Sequence, residues 1–257
     1  MYYYFIVKLP ELTPENHEEI YEYFTEFEPN IHIQSLGFYA MHAWSNSDVQ
    51  FKNSSNVTIK MHLANGGSVM LSPNHQCNAD TPTVAGLVHS AKDTFGPLKG
   101  TTIIPAKAAM FTQPFLGKFI PHMGAHPTFR SKDFSKDEAG QLLQNEVTED
   151  LLKFNIEYLN NGGNIALFSE GTRNKGNPRE VQKLKTGIAR IALGTNDPSR
   201  LLIVTMGIAY KQNKLKRRPN IVVNEPFSPS GMTVEELLEN TRTRMQLATT
   251  EAFDSIK

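Results

Sequence analysis

The chain predicts an α/β fold: a mostly parallel sheet flanked by helices, with an N-terminal helical extension. Three observations carry this. Short β-rich runs recur, at Val69–Leu71, Thr101–Ile104, Ile165–Phe168, Leu201–Thr205 and Ile221–Val223. Helix start and stop signals fall between them, which is the alternation of a parallel sheet. The 257 residues, 39% hydrophobic and 9% aromatic, suffice for one large core. With no internal repeat and no linker-like stretch, residues 57–257 read as one main domain and residues 1–56 as the extension.

The elements follow in order. Thr13 and Pro14 open a helix over residues 14–28, with Ile20, Phe24 and Phe27 on one face and Glu15, Glu18, Glu19, Glu22 and Glu26 on the other. Residues 57–63 alternate as a strand, Asn65-Gly66-Gly67 turns the chain, and Val69–Leu71 forms a second strand. Thr81 and Pro82 start a helix near residues 82–92, and Thr101–Ile104 is the next strand. Pro114, Gly117 and Pro121 interrupt what comes after. Ser135 and Glu138 form a capping box for a long helix ending at Asn161-Gly162-Gly163. Then come the strand Ile165–Phe168, a polar loop, a helix over Gly187–Leu193 and two further strands. A second capping box, Thr233 and Glu236, opens the last helix.

Lys plus Arg and Asp plus Glu both number 26, so the formal charge is zero. That excludes a nucleic-acid coat, which needs a basic surface, and leaves room for a local basic pocket. The single cysteine, Cys77, excludes an intrachain disulfide and fits a reducing compartment. Met1–Val7 is apolar but short, without a basic start or small-residue cleavage site. No stretch approaches the roughly 18 apolar residues of a membrane helix. The two Asn-X-Ser/Thr triplets at Asn53 and Asn56 are read as chance matches in a cytoplasmic chain.

Three segments carry chemistry. In Asn74-His75-Gln76-Cys77-Asn78-Ala79-Asp80, between a strand end and a helix start, His75 and Asp80 can face each other across a tight loop. The carboxylate would keep one imidazole nitrogen protonated and leave the other as a base, with no serine needed if the substrate brings its own hydroxyl. The plainer alternative is a loop histidine satisfied by a nearby acid. In Phe168-Ser169-Glu170-Gly171-Thr172-Arg173 the glycine lets backbone approach a ligand and Arg173 offers a forked donor for phosphate. Glu170 would orient that arginine or contact a hydroxyl, and the alternative is a surface Glu–Arg ion pair. Gly124 to Arg130, with Lys132 behind, reads alone as a turn with basic residues. Lys183 and Lys185 add positive charge ahead of a helix start. No structural zinc spacing occurs among His75, Cys77, His122 and His126, and no metal ligands are assigned.

In this order the segments resemble the glycerolipid acyltransferase family, which includes 1-acylglycerol-3-phosphate and glycerol-3-phosphate acyltransferases. The family's Asn-His-x-x-x-x-Asp is met at Asn74, His75 and Asp80, and its Gly-x-x-Phe/Pro-x-x-Arg block at Gly124, Pro127 and Arg130. Its Phe-Pro-Glu-Gly-Thr-Arg block is met at Phe168, Glu170, Gly171, Thr172 and Arg173, with Ser169 in place of the proline. Lys107 stands where members often have a lysine, and Lys185-Thr186-Gly187 resembles their Lys-x-Gly. The likeness spans about residues 57–230, so residues 57–257 become an acyltransferase domain.

The resemblance implies an O-acyltransferase moving a fatty acyl group from acyl-CoA or acyl carrier protein to a hydroxyl of 1-acylglycerol-3-phosphate, or of glycerol 3-phosphate, in phospholipid synthesis. His75 and Asp80 would be catalytic, and Arg130, Glu170, Gly171, Thr172, Arg173 and Lys107 would bind substrate. No cofactor is implied beyond the thioester donor itself, and nucleic acid is not expected. The partners are the thioester, a phosphorylated glycerol acceptor and a membrane surface, reached peripherally from the cytoplasm through the aromatic N-terminal region. Other classes consistent with the residues are an acyl-CoA thioesterase and a non-catalytic lipid-binding module.

Overall fold

The structure, a computed structural model, describes residues 9–210 and 218–256. The apolar start Met1–Val7 lies outside the described residues. The expected alternation is present: a seven-stranded sheet in the order β1-β7-β6-β2-β5-β3-β4. The strands are β1 (Asp48–Phe51), β2 (Ser68–Pro73), β3 (Thr102–Lys107), β4 (Ala125–Thr128), β5 (Asn164–Ala166), β6 (Leu201–Tyr210) and β7 (Pro219–Val223). Every neighbouring pair is parallel except β6 and β7.

Because successive strand residues point to opposite faces, a sheet covered on both sides needs continuous apolar runs. In β2, Val69 and Leu71 enter one core while Met70 enters the other. In β6, Val204, Met206 and Ile208 join the first of these cores and Ile203 the second. The helices around these faces are α1 (His17–Glu26), α2 (Ile31–Ser45), α3 (Ser55–Ala64), α4 (Asp80–Ser90), α5 (Lys92–Phe95), α6 (Ala108–Phe111), α7 (Leu116–Phe119), α8 (Glu138–Asn160), α9 (Gly187–Leu193) and α10 (Val234–Asp254). α10 runs against β6, where Gly207 sits directly under the Ala248 backbone and a Cβ would collide.

Several local expectations change. Residues 57–63 are helical, within α3. Ser55 and Ile59 are buried while Val57 and Met61 are exposed, so the spacing that reaches the core is four, not two. The first helix is shorter than expected: a 3-10 turn at Pro14–Asn16 precedes α1, and Thr13 makes no side-chain cap. The N-cap of α8 is Asp137 rather than Ser135. Its carboxylate accepts from Gly140 N at 2.9 Å, and the Ser135 hydroxyl donates to Asp137. The Thr233–Glu236 box forms in both directions.

The segment 1–56 contains more than the one expected helix. α2 packs closely on α4, and β1 joins the sheet edge in parallel with β7. Ile20, Tyr21 and Phe24 of α1 belong to the main core. The long apolar positions left outside lie chiefly on α2, where Ile31, Leu36, Tyr39 and Trp44 are exposed. No helix among the described residues is long and apolar enough to cross a membrane.

Candidate active site

Strand β2 ends at Pro73 and α4 begins at Asp80, so the loop carrying His75 sits at the carboxyl edge of the sheet beside the central strands. Asn74 anchors it. This residue is 2% exposed, and its side chain accepts from Ile208 N at 2.7 Å and donates to Ile208 O at 3.2 Å. Gln76 also donates to the Ile208 carbonyl. A short polar loop is thereby fixed to β6 without a core of its own.

His75 Nδ1 lies 2.8 Å from Asp80 Oδ2, with the Asp80 side chain fully buried and the His75 side chain 19% exposed. The same oxygen accepts from the amides of Gln76 at 2.5 Å and Cys77 at 2.8 Å, and Oδ1 accepts from the Tyr210 hydroxyl at 2.7 Å. Burial by itself would raise the Asp80 pKa. The hydrogen bonds from His75, Tyr210 and the two amides outweigh it and hold the carboxyl below the usual carboxylate range. An ionised Asp80 assigns the proton to Nδ1, so Nε2 carries the free lone pair. The imidazole also lies against the Phe168 ring, with centroids 4.2 Å apart. Burial first, then Asp80, pushes the Cys77 thiol up, which keeps it protonated and a poor nucleophile.

The second loop braces the first. Glu170 was expected from the resemblance among the substrate-binding residues, but it turns inward and is 2% exposed. Its Oε1 accepts from His75 N at 2.7 Å, and its Oε2 accepts from Gln182 N at 2.9 Å and Gln182 Nε2 at 3.1 Å. It does not pair with Arg173, whose guanidinium donates instead to Asn78 in the His75 loop at 2.5 Å. Asn174 N donates to the His75 carbonyl at 2.7 Å, closing the two loops on each other. Gly171 sits at φ +70°, and a Cβ there would stand 2.9 Å from Lys185 Cγ, so both conformation and space demand glycine. Thr172 is exposed beside it. Ser169, where the family has proline, is buried and shares a 2.7 Å hydrogen bond with Ser72 on β2.

Lys107 and Arg130 arrive from the neighbouring strands. Lys107 ends β3 and pairs in register with Thr128 at the end of β4, two residues before Arg130. Partial burial, then the charges of Arg130, Arg173 and Lys132, lower the Lys107 pKa, so these four cations share one region at the strand ends. Asp133 takes part of the Arg130 charge at 3.8 Å. Two grooves lie elsewhere, along α1 and α8 and at the amino ends of β3 and β5.

The structure thus brings His75, Asp80, Lys107, Arg130, Gly171, Thr172 and Arg173 to one sheet edge and assigns Glu170 to the scaffold. Sequence reading passed over Tyr210 and Gln182, and it left Asn74 as a motif match without a task. The strand expected to end at Thr205 continues to Tyr210, and its alternation through Val204, Met206 and Ile208 puts Tyr210 on the face that α4 covers.

Comparison with known proteins bears on this arrangement. No curated protein matches the chain. A family model described as Acyltransferase matches residues 54–209, more than half of the sequence, from α3 through β6 and including both motif loops. The chain belongs to the glycerolipid acyltransferase family, and its reaction is acyl transfer.

Proposed function

We propose that the protein transfers a fatty acyl group from a thioester, acyl-CoA or acyl carrier protein, to the free hydroxyl of 1-acylglycerol-3-phosphate. The observation that carries the reading is a buried, ionised Asp80 holding His75 beside four cations, Lys107, Arg130, Lys132 and Arg173. A hydroxyl-bearing substrate with a phosphate suits both halves of that arrangement: the cations hold the phosphate while the imidazole takes the proton.

In the step itself Nε2 of His75 removes the hydroxyl proton as the oxygen attacks the thioester carbonyl carbon. The C–S bond then breaks, the thiolate leaves with the electron pair, and the proton on Nε2 passes to it. Asp80 stays ionised throughout and stabilises the imidazolium between the two transfers. A positioned base of this kind contributes about 10²- to 10⁴-fold in rate.

The product is a two-chain lipid, and the charge-free helix α2, with Ile31, Leu36, Tyr39 and Trp44 outward, supports peripheral attachment to a membrane. Within the aromatic N-terminal region Tyr21 and Phe24 of α1 are buried, so the contact proposed is made by α2.

The test is thiol release from palmitoyl- and oleoyl-CoA with 1-acylglycerol-3-phosphate, with glycerol 3-phosphate, or with no acceptor, for the wild type and His75→Ala. Release that needs the monoacyl acceptor and falls at least 100-fold in the variant supports the proposal. Dependence on glycerol 3-phosphate would reassign the acceptor. Equal release without acceptor would make the protein a thioesterase.

A further inference from the structure

We infer that His17, Glu18 and Asp150 form a site for a divalent transition-metal ion such as zinc, remote from the acyl-transfer loops and independent of the reading above. His17 opens α1 and is 7% exposed. Its Nδ1 lies 2.8 Å from the Pro14 carbonyl oxygen, which offers only lone pairs, so Nδ1 carries the hydrogen. In the neutral ring Nε2 is then a bare acceptor, yet it faces Asp150 Oδ2 at 2.9 Å. Two acceptors at that separation need a hydrogen or a cation between them: a proton shared by the ring and the carboxyl group, or a metal ion coordinated by both.

Glu18 favours the metal. One ligand atom from each of His17, Glu18 and Asp150 lies within 4.8 Å of the others, giving one imidazole and two carboxylates. Tetrahedral ligands about 2.0–2.2 Å from zinc stand roughly 3.4 Å from one another, so small side-chain rotations complete three corners. The Nδ1–H bond to a backbone carbonyl is the outer-shell support that metal-bound histidines use to fix ring orientation and tautomer.

An independent observation points into the same place. Tyr21, one turn further along α1, is 5% exposed, and its hydroxyl has no hydrogen-bond partner among the described residues. It lines the groove between α1 and α8 together with Glu18 and Asp150. A buried phenol without a partner is destabilising, and a water completing the coordination of a bound ion would supply one. Glu22 and Glu26 extend the groove wall against a single cation, Lys153, so the local field attracts a cation. Bound there, the ion would clamp the first helix to α8.

The experiment is calorimetric titration of metal-stripped full-length protein with zinc chloride at pH 7, repeated with cobalt(II) while visible absorption is recorded. Expected are one saturable site, cobalt bands of a four-coordinate centre, and at least a tenfold loss of affinity in both His17→Gln and Glu18→Gln. Because Glu18 is exposed, its variant keeps the test valid if His17→Gln does not fold. Absence of saturable zinc binding would mean a histidine–carboxylate contact only, and binding undiminished in Glu18→Gln would place the ion elsewhere; either result overturns the proposal. Thiol release by the two variants is expected to stay at the wild-type level, which separates this site from His75.

Discussion

His126 gives the sharpest quantitative prediction. It sits on β4 at 1% exposure, packed on the Phe154 ring at 5.0 Å, and neither ring nitrogen has a partner among the described residues. Burial pushes its pKa from 6.5 down to about 3. Replacing it with leucine removes two unpartnered polar atoms while keeping most of the volume. At neutral pH that is expected to stabilise the fold by about 1–3 kcal/mol, the cost of a buried unsatisfied group. The acid side follows from linkage. Between about pH 6.5 and 3 the unfolded chain binds a proton at residue 126 that the folded chain refuses, so wild-type stability falls as pH falls. The slope is about 1.4 kcal/mol per pH unit, and at pH 5 the penalty is roughly 2 kcal/mol. Urea unfolding of the wild type and His126→Leu at pH 7.5, 6 and 5 measures it: the stability gap should widen by about 2 kcal/mol across the series. A gap that stays constant with pH would refute the argument, since it would mean that the folded protein protonates His126 as readily as the unfolded chain.

Tyr210→Phe deletes one of the hydrogen bonds that keep Asp80 ionised. Thiol release should fall roughly tenfold, the equivalent of about 1.4 kcal/mol, with the acid limb of the pH–rate profile moved to higher pH; an unchanged profile would show that the remaining donors suffice. Glu170→Gln turns an amide NH2 toward the His75 and Gln182 amides or leaves one of them unpaired, and should cost about 1–3 kcal/mol in urea unfolding. A surface ion pair would instead lose little and lose it in a salt-dependent way. Arg173→Ala is expected to raise KM for the phosphorylated acceptor about tenfold while kcat changes little, and equal KM values would remove Arg173 from the acceptor site. Leu36→Glu with Trp44→Glu should abolish co-sedimentation with liposomes, and full retention would refute membrane contact through α2.

The sequence by itself determined the α/β class, both motif loops and the two ends of the His75–Asp80 pair. These follow from local signals: apolar runs for buried strands, a glycine at residue 171 that lets backbone approach a ligand, and five residues from His75 to Asp80. Local reasoning failed where two periods compete, as in residues 57–63, where alternating apolar residues lie on a helix and only Ile59 of Val57, Ile59 and Met61 is buried. It failed again where a role depends on partners far along the chain. Glu170 reads as a substrate-binding acid or a partner of Arg173 until His75 N, 95 residues away, claims its carboxylate. Tyr210 falls outside the strand read at Leu201–Thr205, and only the parallel pairing of β2 with β6 brings it to Asp80, 130 residues away. Which buried charge is paid back by which donor is decided by strand order, because a carboxylate survives without water only where several N–H and O–H groups converge. Strand order is a property of the assembled sheet, and no short stretch of the chain contains it.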